Sequence, residues 1–487
     1  MGIKYFGFIS NKFFATKVVI FLTRFFKQFL SKNKRIYVPL LCIMTYDISF
    51  KHINKLAIPA LIAGVAEPLL STTDLAIVGN IQYNATESIA AIGIVGAFLS
   101  MLIWVFGQTR SGISSIISQY LGANKLDEVK NLPAQAIVIV VSTSLLVLGL
   151  SYPFAKEIFQ FYNASGTILD FSVEYYKIRI FGFPFTLFVI AVFGTFRGLQ
   201  NTFFPMLIAI IGTVVNIVLD LVLVYGVEGY VAPMNIQGAA YASVIAQIIM
   251  AIISGYLLLT KTSISLKIEL PFNKEIKRFI IMMLNLFVRT IALNTAFYFA
   301  TSYATDYGKE YIAAYTIGFN LWLMGVFMID GYSSAGNILS GKLLGAKEYN
   351  ILIKLGKKLI LYGFVFGTVL TGVGFILYSF TGRIFTKEPL VLEQFYNTFW
   401  IVLLMQPICS ITFIYDGMFK GLGEMKFLRN VLLLSTGLVF IPVLLVFDRL
   451  DYKLYAIWIA FYGWIIARGI PLILKFRAKF LPLSKMN

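Results

Sequence analysis

Histidine and cysteine are nearly absent from this chain, and each absence excludes a kind of chemistry. Its 487 residues include one histidine, His52, and two cysteines, Cys42 and Cys409. Two cysteines cannot form a disulfide framework or a four-ligand metal site. Most hydrolases, acyltransferases and redox enzymes depend on His or Cys. We therefore expect neither an enzyme nor a bound cofactor.

Charged residues are also scarce. They make up 13% of the chain, against 59% hydrophobic residues and a mean hydropathy of +0.81. A soluble protein carries about 25% charged residues, so the lipid bilayer is the expected environment. Apolar runs of about 20 residues cross the hydrocarbon as helices, whereas a β-barrel requires short alternating strands. The sequence predicts an all-α integral membrane protein with twelve transmembrane helices, at roughly 54–79, 88–113, 132–154, 174–196, 205–226, 236–260, 278–301, 311–335, 357–380, 396–418, 427–447 and 453–475.

The net charge of +18 does not indicate a nucleic-acid partner, because of where the basic residues lie. Lys and Arg concentrate in alternate loops, for example Lys274, Lys277 and Arg278 in one loop and Lys357 and Lys358 in another. The loops between them, such as 302–310 and 384–394, are mixed or slightly acidic. This asymmetry is the positive-inside signal, and it predicts cytoplasmic termini. An even number of spans agrees with that orientation.

Residues 1–43 differ from the rest of the chain. Eight Lys and Arg and no acid fall there, and three of them, Lys17, Arg24 and Lys27, share one helical face. The segment is suited to an interfacial amphipathic helix. A start codon assigned too early is the alternative, since Met44 directly precedes a natural lead-in to the first span. We expect a non-essential basic extension.

Short sequences recur 223 residues apart in the two halves of the chain. Phe196-Arg197-Gly198-Leu199 is echoed by Phe419-Lys420-Gly421-Leu422, and Leu121-Gly122-Ala123 by Leu344-Gly345-Ala346. Both pairs lie in what we take as polar joints between apolar runs. A duplicated apolar unit in a membrane is typical of transporters. We expect an N-terminal six-helix bundle over residues 44–262, a cytoplasmic linker over 263–278, and a C-terminal six-helix bundle with a short basic tail over 279–487.

Five acidic residues lie inside predicted spans, where each carboxylate costs roughly 2.5–3.5 kcal/mol on insertion scales. They are Glu67, Asp74, Asp220, Asp330 and Asp416. Such residues line ion and substrate pathways. The alternative is that they pair with Arg110, Arg289 or Arg468, or cap broken helices.

Asp74, near the outer end of the first span, and Asp220, deep in the fifth span, are the best placed of these acids. Asn216 precedes Asp220, and their i,i+4 spacing puts an amide and a carboxylate on one helical face. Oxygen ligands of this kind suit a proton or a hard cation such as Na⁺. Glu67 and Asp74 are two turns apart in the first span, which also contains Pro59 and Pro68. These prolines allow a bend, either as a moving hinge or as a static kink.

At these residues the chain resembles the multidrug and toxic compound extrusion (MATE) family, in its DinF-like branch. The resemblance covers about residues 44–480. It lies in Ile58-Pro59-Ala60, Glu67-Pro68-Leu69, Asp74-Leu75-Ala76-Ile77-Val78-Gly79, Asn216-Ile217-Val218-Leu219-Asp220, Asn235-Ile236-Gln237-Gly238, Asp330-Gly331-Tyr332 and Asp416-Gly417-Met418-Phe419-Lys420-Gly421.

The resemblance implies two six-helix bundles around a central cavity, related by an axis along the membrane normal. It implies a secondary antiporter in a bacterial cytoplasmic membrane, which exports cationic or amphipathic organic compounds against H⁺ or Na⁺. The implied coupling site, a possible Na⁺ site, is Asp74, Asn216, Asp220 and Ser243, with Pro59 as the hinge. A monomer is also expected by resemblance only.

Some residues depart from the family pattern. Ser243 stands where the branch usually has Thr, and Leu75 replaces the usual Thr after the aspartate. The seventh span has no glutamate, which puts the C-terminal cation cluster of other branches in doubt. Glu67, Asp330 and Asp416 are possible cavity residues. For the last two, bonding to neighbouring backbone at Asp-Gly turns is the alternative.

The rival interpretation is a flippase for a lipid-linked saccharide of the same superfamily. Such a protein would usually have about fourteen spans and a strongly cationic cavity. The basic residues expected to face the cavity here are few, namely Arg110, Arg289 and Arg468. The sequence therefore favours the antiporter.

Overall fold

The computed structural model describes residues 46–81, 84–227 and 229–486, with the side chains of residues 67–72 and 486 left undescribed. The basic extension predicted over residues 1–43 lies outside this part of the chain.

Twelve long helical segments, α1–α12, form the described fold. Eleven of them, α2–α12, have the length and apolarity to cross a membrane, and α1 corresponds to the first predicted span. The twelve segments are Phe50–Val78, Ala85–Gly122, Leu126–Ser151, Gly166–Gly198, Phe203–Tyr225, Asn235–Lys261, Ile276–Asp306, Lys309–Gly345, Tyr349–Ile376, Pro389–Gly421, Met425–Arg449 and Leu454–Lys485. Each matches one predicted span, and most extend several residues beyond it.

Local sequence explains several helix ends. The side chain of Ser49 accepts a hydrogen bond from the backbone N–H of His52 and so caps the start of α1. Pro389 occupies the first turn of α10, where its missing N–H leaves no intrahelical bond unmade. Gly226, with φ +74°, follows the last residue of α5, in a conformation that only glycine adopts freely.

The two halves of the chain repeat the same succession of helices. Short helices at Ala155–Phe161 and Tyr378–Phe385 lie between the third and fourth segments of each half, and their first residues are 223 positions apart. Each half has its own hydrophobic core, one built mainly from α2–α6 and the other from α7, α8 and α10–α12. The predicted fold class, an all-α membrane protein of two six-helix bundles, is confirmed.

The first helix of each bundle begins against the opposite bundle. Ile53 and Leu56 of α1 belong to a core cluster with residues of the second half. Their equivalents 223 positions later, Ile276 and Phe279 of α7, belong to the core of the first half. This reciprocal exchange joins the bundles where α1 and α7 start.

A non-helical stretch over residues 262–275 connects the bundles and is held against the first one. Gln135 donates to the carbonyl of Glu269 at 2.8 Å and accepts from the backbone N–H of Asn273 at 2.8 Å. Ile264 is buried within the N-terminal core. These contacts hold the linker against the N-terminal bundle, whereas the sequence alone identifies the linker only by its basic residues.

The bundles approach each other closely at two equivalent glycines. A Cβ atom on Gly122 would overlap the backbone carbonyl of Lys342, and one on Gly345 would overlap that of Gln119. Lys342 is itself 223 positions after Gln119, so the two contacts are related by the internal repeat. Any larger side chain at either glycine would force the bundles apart.

Candidate functional site

The four residues predicted to hold the coupling ion meet in the N-terminal bundle. Asp74 lies on α1, Asn216 and Asp220 on α5, and Ser243 on α6, and all four are at most 5% exposed. The α5 helix packs against both α1 and α6. The hydroxyl of Ser243 lies 3.3 Å from Asp74 Oδ2, and the Asn216 amide lies 3.2 Å from Ser243 Oγ.

The Asn216 amide lies between the two carboxylates. With its nitrogen turned toward them, it donates to Asp74 Oδ1 at 3.1 Å and to Asp220 Oδ2 at 3.2 Å, while its oxygen accepts from Ser243. A serine hydroxyl has one proton to donate. In this orientation of the amide, the hydroxyl cannot donate to Asn216 and to Asp74 together, so both contacts form at once only when Asp74 carries a proton and donates to Ser243.

Asp220 has a free acceptor at the centre of this group. It is fully buried, and its Oδ1 has no hydrogen-bond partner among the described residues. A buried carboxylate oxygen without a partner is costly, and a second carboxylate beside it adds repulsion. A proton or a hard cation removes both costs.

No metal centre of the usual kind is formed in the part of the chain that the structure describes. No group of three or more His, Cys, Asp or Glu side chains is arranged there to hold a metal ion. The two carboxylates, the amide and the hydroxyl offer oxygen ligands that Na⁺ accepts. The same oxygens can also hold a proton, so the chemistry of these four side chains fits either a proton or a small hard cation.

The first helix runs without interruption through its prolines. Pro59 and Pro68 both lie inside the continuous helix Phe50–Val78. In this conformation α1 is not broken at the predicted hinge. Glu67 is one of the residues whose side chains are not described.

Asp416 of α10 lies in a cluster of basic side chains in the C-terminal bundle. Its carboxylate contacts Arg289 at 2.6 Å, Lys420 at 3.0 Å and Arg468 at 3.8 Å. Pairing with arginine, the alternative considered for buried acids, therefore applies to this one. Asp330 of α8 accepts a hydrogen bond from Ser334 at 3.4 Å.

The two Asp-Gly pairs do not form turns. Asp330-Gly331 lies inside α8 and Asp416-Gly417 inside α10. The alternative of Asp-Gly turns therefore does not apply, because each glycine lies within a long helix that packs closely against a neighbour. Here a Cβ on Gly331 would meet the carbonyl of Ala57, and one on Gly417 that of Ser333.

A cavity of about 450 Å³ lies between the two bundles. Asp74, Asn216 and Ser243 reach it from one side, and Asp330 and Asp416 from the other. The cavity thereby connects the group formed by Asp74, Asn216 and Ser243 with the charged cluster around Asp416 in the second bundle.

The cavity is more basic than the sequence suggested. Among the side chains that the structure describes, six basic and three acidic residues line it, a net formal charge of +3, or +2 when the buried Asp220 next to Asp74 is included. Beyond the three arginines expected there, Arg179, Arg197 and Lys420 also reach it. Arg197 and Lys420 lie in segments that the sequence predicts as polar joints, although the 223-residue echo includes both of them.

A family model named MatE matches residues 59–222 and 286–446 of this chain, one segment in each half. The chain belongs to the MatE family. Members of this family are membrane transporters of small organic compounds and not enzymes.

Curated MATE relatives cover most of the chain at low identity. The DNA damage-inducible protein F of Escherichia coli (strain K12) is 22% identical, over 90% of this chain and 94% of that protein. The multidrug export protein MepA of Staphylococcus aureus (strain NCTC 8325 / PS 47) is 21% identical, over 84% of this chain and 89% of that protein.

Solved MATE structures have the same fold. A crystal structure of MATE in the bent conformation is 20% identical with a TM-score of 0.82, covering 90% of this chain and 96% of that one. A MOP superfamily transporter from Pyrococcus furiosus Vc1 (DSM3638) is 20% identical with a TM-score of 0.80, covering 89% of this chain and 96% of that one.

Proposed function

We propose that this protein is a secondary active antiporter that exports amphipathic organic compounds in exchange for H⁺ or Na⁺. The ion binds at Asp74, Asn216, Asp220 and Ser243 in the N-terminal bundle, and the substrate binds in the central cavity. The observation that carries the proposal is the Asn216 amide, within 3.2 Å of both Asp74 and Asp220 in a buried group open to the cavity.

Ion binding changes the charge that the substrate meets. With both carboxylates ionised, the cavity has two negative charges at one end, and one bound cation halves them. Each elementary charge that crosses 100 mV contributes about 2.3 kcal/mol, enough to drive substrate uphill. Entry of the ion from outside therefore removes net charge from this site and favours the return of the carrier to the inside.

The orientation of Asn216 distinguishes the two possible ions. A proton shared between the carboxylates is compatible with the amide nitrogen facing them, where it donates to both. A bound Na⁺ instead requires the amide oxygen to face the ion. The four side chains suit either ion, so the coupling ion is proposed as H⁺ or Na⁺.

Other properties follow from the sequence and remain part of the proposal. They are a bacterial cytoplasmic membrane location, cytoplasmic termini, a monomeric state, bundle limits at residues 44–262 and 279–487, and bending of α1 at Pro59.

One finding favours the flippase as a second candidate. Six basic residues line the described part of the cavity wall. Twelve helices rather than about fourteen favour the antiporter. The MepA relative, named a multidrug export protein, supports export as well.

The test is gradient-driven transport by purified protein in proteoliposomes, with Na⁺ and pH gradients varied separately. We expect Asp74→Asn and Asp220→Asn each to lose gradient-driven export while remaining folded in the membrane. Asp170→Asn, an exposed aspartate outside the cavity, is the matched control and retains it. Full export by either site variant would refute the assignment.

A further inference from the structure

The internal repeat places two basic side chains at equivalent positions on the cavity wall. Arg197 ends α4 and Lys420 ends α10, one repeat length of 223 residues apart, and both line the cavity between the bundles. Arg197 is 5% exposed and donates to Ser334 Oγ of the opposite bundle at 3.0 Å. Each bundle thus contributes one cation to the same central space.

The cluster around Asp416 is not neutral. Arg289, Lys420 and Arg468 surround Asp416, and Asp330 also interacts electrostatically with Lys420 and with Arg197, so these four basic and two acidic side chains carry a net formal charge of +2. Arg289 and Arg468 are 6% and 3% exposed. Burying charge without a counter-charge is expensive, so this end of the cavity favours an added anion.

Arginine donors in the cavity wall also lack partners. Nε of Arg197 and Nε of Arg110 are buried without a hydrogen-bond partner among the described residues. Arg468 has its guanidinium 4.7 Å from the ring centre of Trp464 and 5.3 Å from that of Phe413. These aromatic contacts hold the guanidinium of Arg468 in position, and they leave the N–H groups at its edge available to a ligand.

We propose that the centre of this cavity is an anion-binding site that takes a carboxylate or phosphate group of an amphipathic substrate. Arg197, Lys420, Arg289 and Arg468 bind the anionic group, since guanidinium forks match planar carboxylate and phosphate oxygens. Phe297 and Trp322, which also line the cavity, contact the apolar body. The site rests on the proposed transport function, and its substrates are amphipathic anions in place of the cations that the family resemblance implies.

Equilibrium binding to detergent-purified full-length protein tests the site without any ion gradient. The probes are fluorescein, an anion, and rhodamine 123, a cation with the same fused-ring scaffold, followed by fluorescence anisotropy. We expect fluorescein to bind more tightly than rhodamine 123. Arg197→Gln and Lys420→Gln should each weaken fluorescein binding by about tenfold or more, the loss expected for a charged hydrogen bond.

Two further variants keep the test decisive if Arg197→Gln or Lys420→Gln fails to fold. Asp330→Asn removes a negative charge from the cavity wall and should tighten fluorescein binding. Lys354→Gln, at an exposed position outside the cavity, is the charge-matched control and should leave it unchanged. Tighter binding of rhodamine 123, or fluorescein binding indifferent to Arg197→Gln, Lys420→Gln and Asp330→Asn, would overturn the proposal.

Competition distinguishes a soluble anion from a lipid headgroup. Displacement of fluorescein by dihexanoyl phosphatidic acid at much lower concentration than by inorganic phosphate assigns a lipid-linked substrate. Equal displacement by the two assigns a soluble one, and displacement by neither overturns the anion site. Fluorescein binding without gradient-driven transport would refute the antiporter alone, whereas ion-driven export of cations without fluorescein binding would refute the anion site alone.

Discussion

The hydroxyl of Ser114 donates a hydrogen bond to Asn337 Oδ1 at 3.0 Å, across 223 positions of sequence. These are equivalent residues of the two halves, and both line the central cavity. The axis that relates the bundles therefore passes between them. The paired contacts of Gly122 with Lys342 and of Gly345 with Gln119 lie along the same interface.

A cross-link at this axis should stop transport. In a background without Cys42 and Cys409, we expect Ser114→Cys with Asn337→Cys to be joined by a short reducible thiol cross-linker, which would hold the bundles together. Export should be lost on cross-linking and regained after reduction. Each single-cysteine protein, treated in the same way, is the control. Undiminished export by a fully cross-linked protein would mean that the bundles do not separate here.

Replacing a glycine at the interface should destabilise the packing of the two bundles against each other. Gly122→Leu places a side chain where the Lys342 carbonyl lies, and overpacking of this kind costs about 1–3 kcal/mol. We expect a lower unfolding temperature in detergent and reduced export. Gly372→Leu is the matched control, because nothing lies within 4 Å of a Cβ at that glycine. Equal stability of the two variants would contradict the close approach.

Removing the negative charge of Asp416 should lower the free energy of unfolding, because three basic side chains pair with this carboxylate. Asp416→Asn leaves Arg289, Lys420 and Arg468 without their shared counter-charge, and breaking a buried pair costs about 3–5 kcal/mol. Thermal unfolding in detergent measures the loss, with Asp170→Asn as control. If the cluster takes an anion, added fluorescein should restore part of the lost stability. An unchanged unfolding temperature would show that the cluster is solvated.

The C-terminal helix should be held by a pH-dependent contact outside the membrane-spanning segments. Burial raises the pKa of Glu424, but hydrogen bonds from Lys479 and Lys475 outweigh it and hold the pKa below its usual range. Stabilisation by a carboxylate of this kind is complete above the unfolded-state pKa of about 4.3 and is lost as pH falls through the folded-state pKa.

Because Glu424 is partly solvated, we expect this contact to contribute at most about 1 kcal/mol. The measurement compares the free energy of unfolding of the wild type and Glu424→Gln at neutral pH and again in acid. The difference should shrink in acid. Glu393→Gln, at an exposed position, is the control. A difference that grows as pH falls would contradict the lowered pKa of Glu424.

The membrane fold was predictable because length and apolarity alone determine a spanning helix. The proposed coupling site was predictable in part, because Asn216 and Asp220 are four residues apart and therefore lie on one face of a single helix. Its completion by Asp74 and Ser243 rests on the packing of α1, α5 and α6, which the resemblance supplied and spacing did not.

The charge of the cavity could not be predicted from periodicity. Helices that are apolar all round give no sign of which face meets a cavity, so Arg179 passed unnoticed. Arg197 and Lys420 lie near the ends of their helices, in segments that the sequence predicts as polar joints. The 223-residue repeat predicts a duplication, and in the structure it also places these two basic side chains at equivalent positions on the cavity wall.

Ion binding by the purified protein tests the central claim most directly, namely that Asp74 and Asp220 hold one small cation between them. The measurement is saturable binding of radioactive Na⁺, together with proton uptake after a downward pH step in weakly buffered detergent solution. The wild type should either bind Na⁺ saturably or take up more protons per protein than the Asp74→Asn, Asp220→Asn double variant, which should lack both the Na⁺ binding and the additional proton uptake. Wild-type binding of the same ion by the double variant would contradict the account.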